Sequence, residues 1–108
     1  METINIRLDH INIPARDPER LAQWYADHFK LEAAGRRVSG PGMLIVFQQG
    51  EPVNRAPDLH IGLRVPSMSA LEQWAEHFGA QPASGAEFNS FRTSDPEGNC
   101  IEIYCKAE

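Results

Sequence analysis

The chain repeats itself. His10-Ile11 recurs as His60-Ile61, and Leu21-x-Gln23-Trp24 recurs as Leu71-x-Gln73-Trp74, both at an offset of 50 residues. A period of that length marks a supersecondary unit used twice. Each copy reads as a strand, a helix and two or three further strands, and one copy cannot bury both its sheet and its helix alone. The expected fold class is therefore α+β. Two modules, about 1–52 and about 58–108, would build a single domain with helices outside a curved mixed sheet that forms a cleft. A chain of 108 residues is enough for one such core.

In the first module, Ile4 to Ile13 reads as a strand. Ile11 and Ile13 fall on one face, Leu8, His10 and Asn12 fall on the other, and Pro14 is expected to end it. Asp17-Pro18 has the form of an N-cap followed by a first-turn proline. Leu21, Trp24, Tyr25 and His28 then recur at helical spacing, predicting an amphipathic helix to about Lys30 with Trp24 in the core. Glu32 to Val38 reads as one short edge strand, and Met43 to Gln49 as another strand. That count leaves the first module short by a strand. Gly50 to Asp58, with Pro52 and Pro57, reads as the linker between modules.

In the second module, His60 to Val65 alternates, with Ile61, Leu63 and Val65 opposite His60, Gly62 and Arg64. Ser69-Ala70-Leu71-Glu72 has the form of a capping box. Leu71, Trp74, Ala75 and Phe78 form the helix stripe, Trp74 again expected in the core, and Gly79 suits the position past the helix end. Ala80 to Asn89 and Phe91 to Thr93 carry weaker strand signals. Asp95-Pro96-Glu97-Gly98 suits a type I turn. It feeds a last strand, Asn99 to Cys105, with Ile101 and Ile103 on one face and Cys100, Glu102 and Tyr104 on the other.

Charge and composition remove several classes of partner. The net charge is −5 with no cluster of Lys or Arg, which argues against nucleic acid and anionic membrane surfaces. No apolar run approaches the roughly 20 residues of a membrane span. The start, Met-Glu-Thr-Ile-Asn, lacks the basic and apolar regions of a signal peptide. Cys100 and Cys105 sit on opposite faces of one strand, roughly 16 Å apart, so they cannot bridge each other. Free thiols fit a cytoplasmic location.

On three strands the helix-facing side is fixed by Ile, Leu and Val. His10, His60 and Glu102 therefore share the face away from the helices. Two imidazoles and a carboxylate are a ligand set for a divalent metal with open positions, suited to Zn, Ni, Mn, Co or Fe(II). Asn12, Arg64, Tyr104 and Cys100 share those faces, so Asn12, Arg64 and Tyr104 are candidate substrate contacts, with Arg64 the best anchor for an anionic group. His28 and His77 lie in helices beside Phe29 and Phe78 and read as surface or packing residues.

Leu8-Asp9-His10-Ile11, the Asp17-Pro18 helix start running to Trp24-Tyr25, His60-Ile61-Gly62-Leu63 and Asp95-Pro96-Glu97-Gly98-Asn99-Cys100-Ile101-Glu102 resemble the vicinal oxygen chelate superfamily. This is the superfamily of glyoxalases, bleomycin-resistance proteins and extradiol dioxygenases. The resemblance spans nearly the whole chain and implies paired βαβββ modules around a metal. It matches His10 to the first-strand ligand, His60 to its counterpart in the second module, and Glu102 to the last-strand ligand. It also implies that Glu102 doubles as a catalytic base, as in glyoxalases. The glyoxalase pattern has a fourth ligand, a Glu late in the first module. Met43 to Gln49 supplies no carboxylate there, which leaves Gln48 or Gln49 to approach the metal or, better, a three-ligand site. Arg92 stands where extradiol dioxygenases carry a Tyr. The potassium-binding loop of fosfomycin thiol transferases is not visible.

The leading expectation is a metal-dependent lyase, isomerase or thiol-transfer enzyme acting on a small substrate with vicinal oxygens. A metal-free dimer that sequesters a drug or metabolite is the alternative from another class, and an Fe(II) dioxygenase is the weaker one. A homodimer is expected, with the site within one chain or shared between two.

Overall fold

The linear order of elements is the same in both halves. In the computed structural model, which describes residues 5–53 and 59–108, strands β1 (Ile11–Ala15), β2 (Glu32–Ala34), β3 (Arg37–Gly40) and β4 (Met43–Gln49) surround helix α1 (Pro18–Phe29) in sequence. Strands β5 (His60–Arg64), β6 (Ala83–Ser84), β7 (Phe88–Ser94) and β8 (Cys100–Lys106) do the same around α2 (Met68–Phe78). The first sheet runs β1-β4-β3-β2 and the second β5-β8-β7-β6. Each has one parallel pair, β1 with β4 and β5 with β8, and otherwise antiparallel neighbours. The chain divides into two compact units, residues 1–52 and 53–108.

Several expectations needed correction. The strand placed at Ile4–Ile13 begins at Ile11 among the described residues, Ile4 lying outside them, and it runs on through Pro14 to Ala15. Proline is tolerated because β1 pairs only with β4 and so forms a sheet edge, where a missing N–H costs no ladder bond. The single edge strand read at Glu32–Val38 is a hairpin of two strands, turned at Gly35 with φ +62°. The first module is therefore not short of a strand. Of the linker Gly50–Asp58, residues 54–58 lie outside the described ones. In the second unit the cap is Ser67, not Ser69. Its extended backbone precedes Met68, and its Oγ accepts from the Ala70 N–H at 3.1 Å.

Helix α1 starts as its sequence reads: Asp17 Oδ1 accepts from the Arg20 N–H at 3.3 Å, with Pro18 at the first position. It ends on Lys30 in the left-handed region (φ 57°, ψ 43°), whereas α2 ends on Gly79 in the same conformation. Leu21, Ala22, Tyr25 and Ala26 of α1 join Ile13, Ala15, Val38, Ile45 and Phe47 in the buried core of the first unit. In the second, Leu71 and Ala75 join Phe91, Ile101, Ile103 and Cys105. Trp24 and Trp74 are half-buried, not core residues as expected. Each contacts a helical histidine ring, His28 and His77 respectively, while Tyr25 and Leu71 take the central positions.

Candidate functional site

Register builds the site. β8 lies between β5 and β7, so each of its outward residues has one neighbour on either side. The parallel register sets His60 beside Cys100, Gly62 beside Glu102 and Arg64 beside Tyr104. The antiparallel register adds Ser94, Arg92 and Ser90 to those same rows. Ile101, Ile103, Cys105 and Phe91 are buried on the α2 side. Alternation therefore turns all nine row residues to the opposite face.

Glu102 is the centre of that grid. Its Oε1 lies 3.6 Å from His60 Nε2, and its Oε2 accepts from Arg92 Nε at 3.2 Å. The Glu102 side chain is 22% exposed and that of His60 28%. Gly62 leaves the floor beside Glu102 open: a Cβ built on it would meet nothing within 4 Å. Tyr104 is half-buried and edge-on to the Phe88 ring at 5.4 Å. Arg64 is exposed and makes no ion pair among the described residues. Cys100 is half-buried on this face and Cys105 buried on the other; both are free thiols.

The first unit presents a different face. Its equivalent of the Gly62–Glu102 pair is Asn12–Val46, so valine stands where β8 has its carboxylate. Gln48 lies on the same face, two residues on, and accepts from Asn12 Nδ2 at 2.7 Å. Gln49 points the other way and donates to the Arg16 carbonyl at 2.7 Å. His10 immediately precedes β1. Its ring is half-exposed, with Nδ1 2.8 Å from Asp9 Oδ2. A carboxylate on one ring nitrogen is the usual outer partner of a ligating histidine and leaves Nε2 as the donor toward a metal.

The donors suit a divalent ion. Two ligand atoms each about 2.1 Å from a tetrahedral ion stand roughly 3.4 Å apart. His60 Nε2 and Glu102 Oε1, at 3.6 Å, are close to that separation without any rearrangement of the strands. Among the described residues no three His, Cys, Asp or Glu side chains are gathered into a metal cluster. The second unit supplies two of the expected ligands together, and His10 belongs to the first. A groove of about 600 Å³ also runs along α2 between Met68 and Pro82, but it lies on the helix side of the sheet, away from His60 and Glu102.

Arg92 is the residue that sequence reasoning passed over. It was visible only as a departure from a dioxygenase pattern. The signal was available: the turn closes with Asp95 paired to Asn99, the Asp95 N–H donating to the Asn99 carbonyl at 3.0 Å. Counting outward from that pair sets Arg92 opposite Glu102.

Comparison with known proteins supports this architecture. A family model described as a glyoxalase-like domain matches residues 10–104. Among solved structures, fosfomycin resistance protein FosX from Listeria monocytogenes superposes with a TM-score of 0.76 at 15% identity, covering 96% of each chain. FosX from Mesorhizobium loti gives 0.75 at 18% identity, covering 96% of this chain and 95% of that one. A glyoxalase/bleomycin resistance protein/dioxygenase from Alicyclobacillus acidocaldarius gives 0.70 at 19%, covering 94% and 92%. No curated protein matches the chain in sequence. At such identities the structures speak for the fold alone. The matched family spans both repeats and every candidate ligand, and the chain belongs to the glyoxalase-like domain family of the vicinal oxygen chelate superfamily.

Proposed function

We propose that this protein is a divalent-metal-dependent enzyme that acts on a small substrate with vicinal oxygens, with His10, His60 and Glu102 as the metal ligands. The observation that carries the reading is the approach of His60 Nε2 and Glu102 Oε1 to 3.6 Å on one open sheet face. A bound ion supplies Lewis acidity toward substrate oxygens. The chain's own residues do the rest. Gly62 leaves space beside Glu102 for a ligand. Glu102 doubles as the base for proton transfer of the isomerase or lyase kind once its carboxylate is released from the ion, with thiol transfer as the other class in view. Arg64, Asn12 and Tyr104 orient the substrate, Arg64 holding an anionic group. Val46 removes the carboxylate that a fourth ligand would need, so the set is three.

A homodimer is part of this proposal. Strands β1 and β5 are five residues long and each lies at the edge of its sheet, and a two-fold partner would cover such edges. The ligands come from one chain or from two.

A second reading has its own support. The Arg92 ion pair satisfies Glu102 without a metal, and Phe88 is 48% exposed beside Tyr104, an apolar surface for a bound drug or metabolite. Metal analysis of protein purified without chelator separates the two. Near-stoichiometric zinc, nickel, manganese, cobalt or iron supports the enzyme. Metal-free protein that also takes up none of these in calorimetry supports the binding module. Two of the structural neighbours are named for fosfomycin resistance, which makes fosfomycin a sensible first compound in either assay. Mixing a His10→Ala chain with a Glu102→Ala chain then tests pairing. Metal binding restored after subunit exchange places the site across two chains.

A further inference from the structure

The two oxygens of Glu102 have different partners. Oε1 faces His60, and Oε2 is held by the Nε–H of Arg92. This pair differs from an ordinary surface salt bridge, which is worth little because both long side chains move freely in water. Arg92 and Glu102 are direct cross-strand partners in the seven-residue β7–β8 ladder, so their backbones are fixed in register. The Glu102 side chain is half-buried at 22% exposure and that of Arg92 is 49% exposed, so the fixed register, more than burial, holds the pair together. The bond is also charge-assisted, from the Arg92 Nε–H to the Glu102 carboxylate at 3.2 Å.

We propose that Arg92 is a positioning residue: it occupies Oε2 and thereby presents Glu102 to the His60 side through Oε1 alone. This rests on the reading of His60 and Glu102 as metal ligands. Glu102 is then a one-oxygen ligand, with its carboxylate plane set before any ion arrives. Without Arg92 the carboxylate is free to rotate about its last torsion, and both oxygens compete for solvent and for the ion. The guanidinium is cationic and would by itself oppose a second cation, so a positive effect of Arg92 on metal affinity is the signature of positioning over charge.

The test uses the full chain. Zinc binding is measured by calorimetry for wild type, Arg92→Ala, Arg92→Met and Arg92→Lys, with thermal unfolding of each metal-free protein. Outer-sphere partners of metal ligands typically contribute roughly 10–100-fold in affinity. Zinc affinity is expected to fall at least about tenfold in the alanine and methionine variants and to recover in part in the lysine variant, with metal-free unfolding temperatures close to wild type. Unchanged or tighter zinc binding in Arg92→Ala overturns the inference while leaving the ligand assignment standing. A wild type that binds no zinc or other divalent ion sinks the ligand assignment instead. In that case the Arg92 Nε–H resonance of metal-free protein still decides the positioning: a slowly exchanging signal that is lost in Glu102→Ala supports it, and an unprotected one refutes it.

Discussion

Asp95→Ala should be among the most damaging single changes outside the core. Asp95 is 4% exposed and its carboxylate accepts three hydrogen bonds within the turn. Oδ1 takes the N–H groups of Glu97 at 2.9 Å and Asn99 at 3.0 Å, and Oδ2 takes Asn99 Nδ2 at 2.8 Å. Hydrogen bonds to a charged partner contribute about 1.5–3 kcal/mol each, but three on one side chain do not add fully. Alanine lets water reach part of the turn while Asn99, 8% exposed, keeps a buried amide without its acceptor. The expected cost is about 3–4 kcal/mol, a large share of the roughly 5–15 kcal/mol that holds a domain together. Asp95→Asn retains an acceptor for the two backbone N–H groups but sets one amide against another at Asn99, so its cost should be about half as large. Guanidinium unfolding of metal-free protein, at a common slope, measures both. A cost below about 1 kcal/mol for the alanine variant, or equal costs for the two, would show that the turn does not depend on this carboxylate.

His60→Ala should abolish tight metal binding yet leave metal-free stability within about 1 kcal/mol of wild type, because a side chain on an open face leaves no core cavity; a metal-free mutant that melts far lower would point to a structural histidine. Gly62→Val should keep or raise stability by up to about 1 kcal/mol, since a strand favours valine and the space is empty, while weakening metal and small-molecule binding several-fold. Unaltered binding in calorimetry would show that nothing sits over Gly62. Lys30→Gly should stabilise the chain by about 0.5–1 kcal/mol by relieving a left-handed residue at the α1 terminus, and urea unfolding showing a loss would contradict that account.

The parts of the fold that sequence disclosed were those where local chemistry and burial agree. Asp17-Pro18 caps α1 because a short acceptor and a fixed φ have no better use there, and Met43–Gln49 is a strand at the bounds its composition suggests. The last strand was legible because Ile101 and Ile103 leave one register open to it. The failures came where tertiary context chose between local options. Glu32–Val38 reads as one strand until Gly35 adopts a positive φ and folds it back. Ser67 and Ser69 are both plausible caps, and the extended backbone after Pro66 decides for Ser67. Alternation likewise assigned His60 and Glu102 to one face, but their 3.6 Å approach depends on the parallel register of β5 and β8. Arg92 needed the turn's pairing as well.

The repeat also makes the number of metal ions per chain a test of the site. A duplicated unit with duplicated chemistry would carry two equal sites, but the two faces have diverged at their central pair. Where the second unit places Gly62 beside Glu102, the first places Asn12 beside Val46, and Asn12 is tied to Gln48 at 2.7 Å. An alkyl group and an engaged amide cannot replace an anionic ligand, so in the proposed site the carboxylate would come from Glu102 of the second unit and the first unit would contribute His10. On the proposed assignment each ion would take one His10, one His60 and one Glu102, whether these come from the same chain or from two. One ion per chain is expected in both arrangements, and a symmetric dimer would hold two. Metal content against protein concentration, together with mass by light scattering, measures this directly. Two tightly bound ions per chain would mean that the first unit has a carboxylate site of its own, and half an ion per chain would mean that the duplicated histidines do not serve equivalent sites. Either result would overturn the assignment of His10, His60 and Glu102 to one centre.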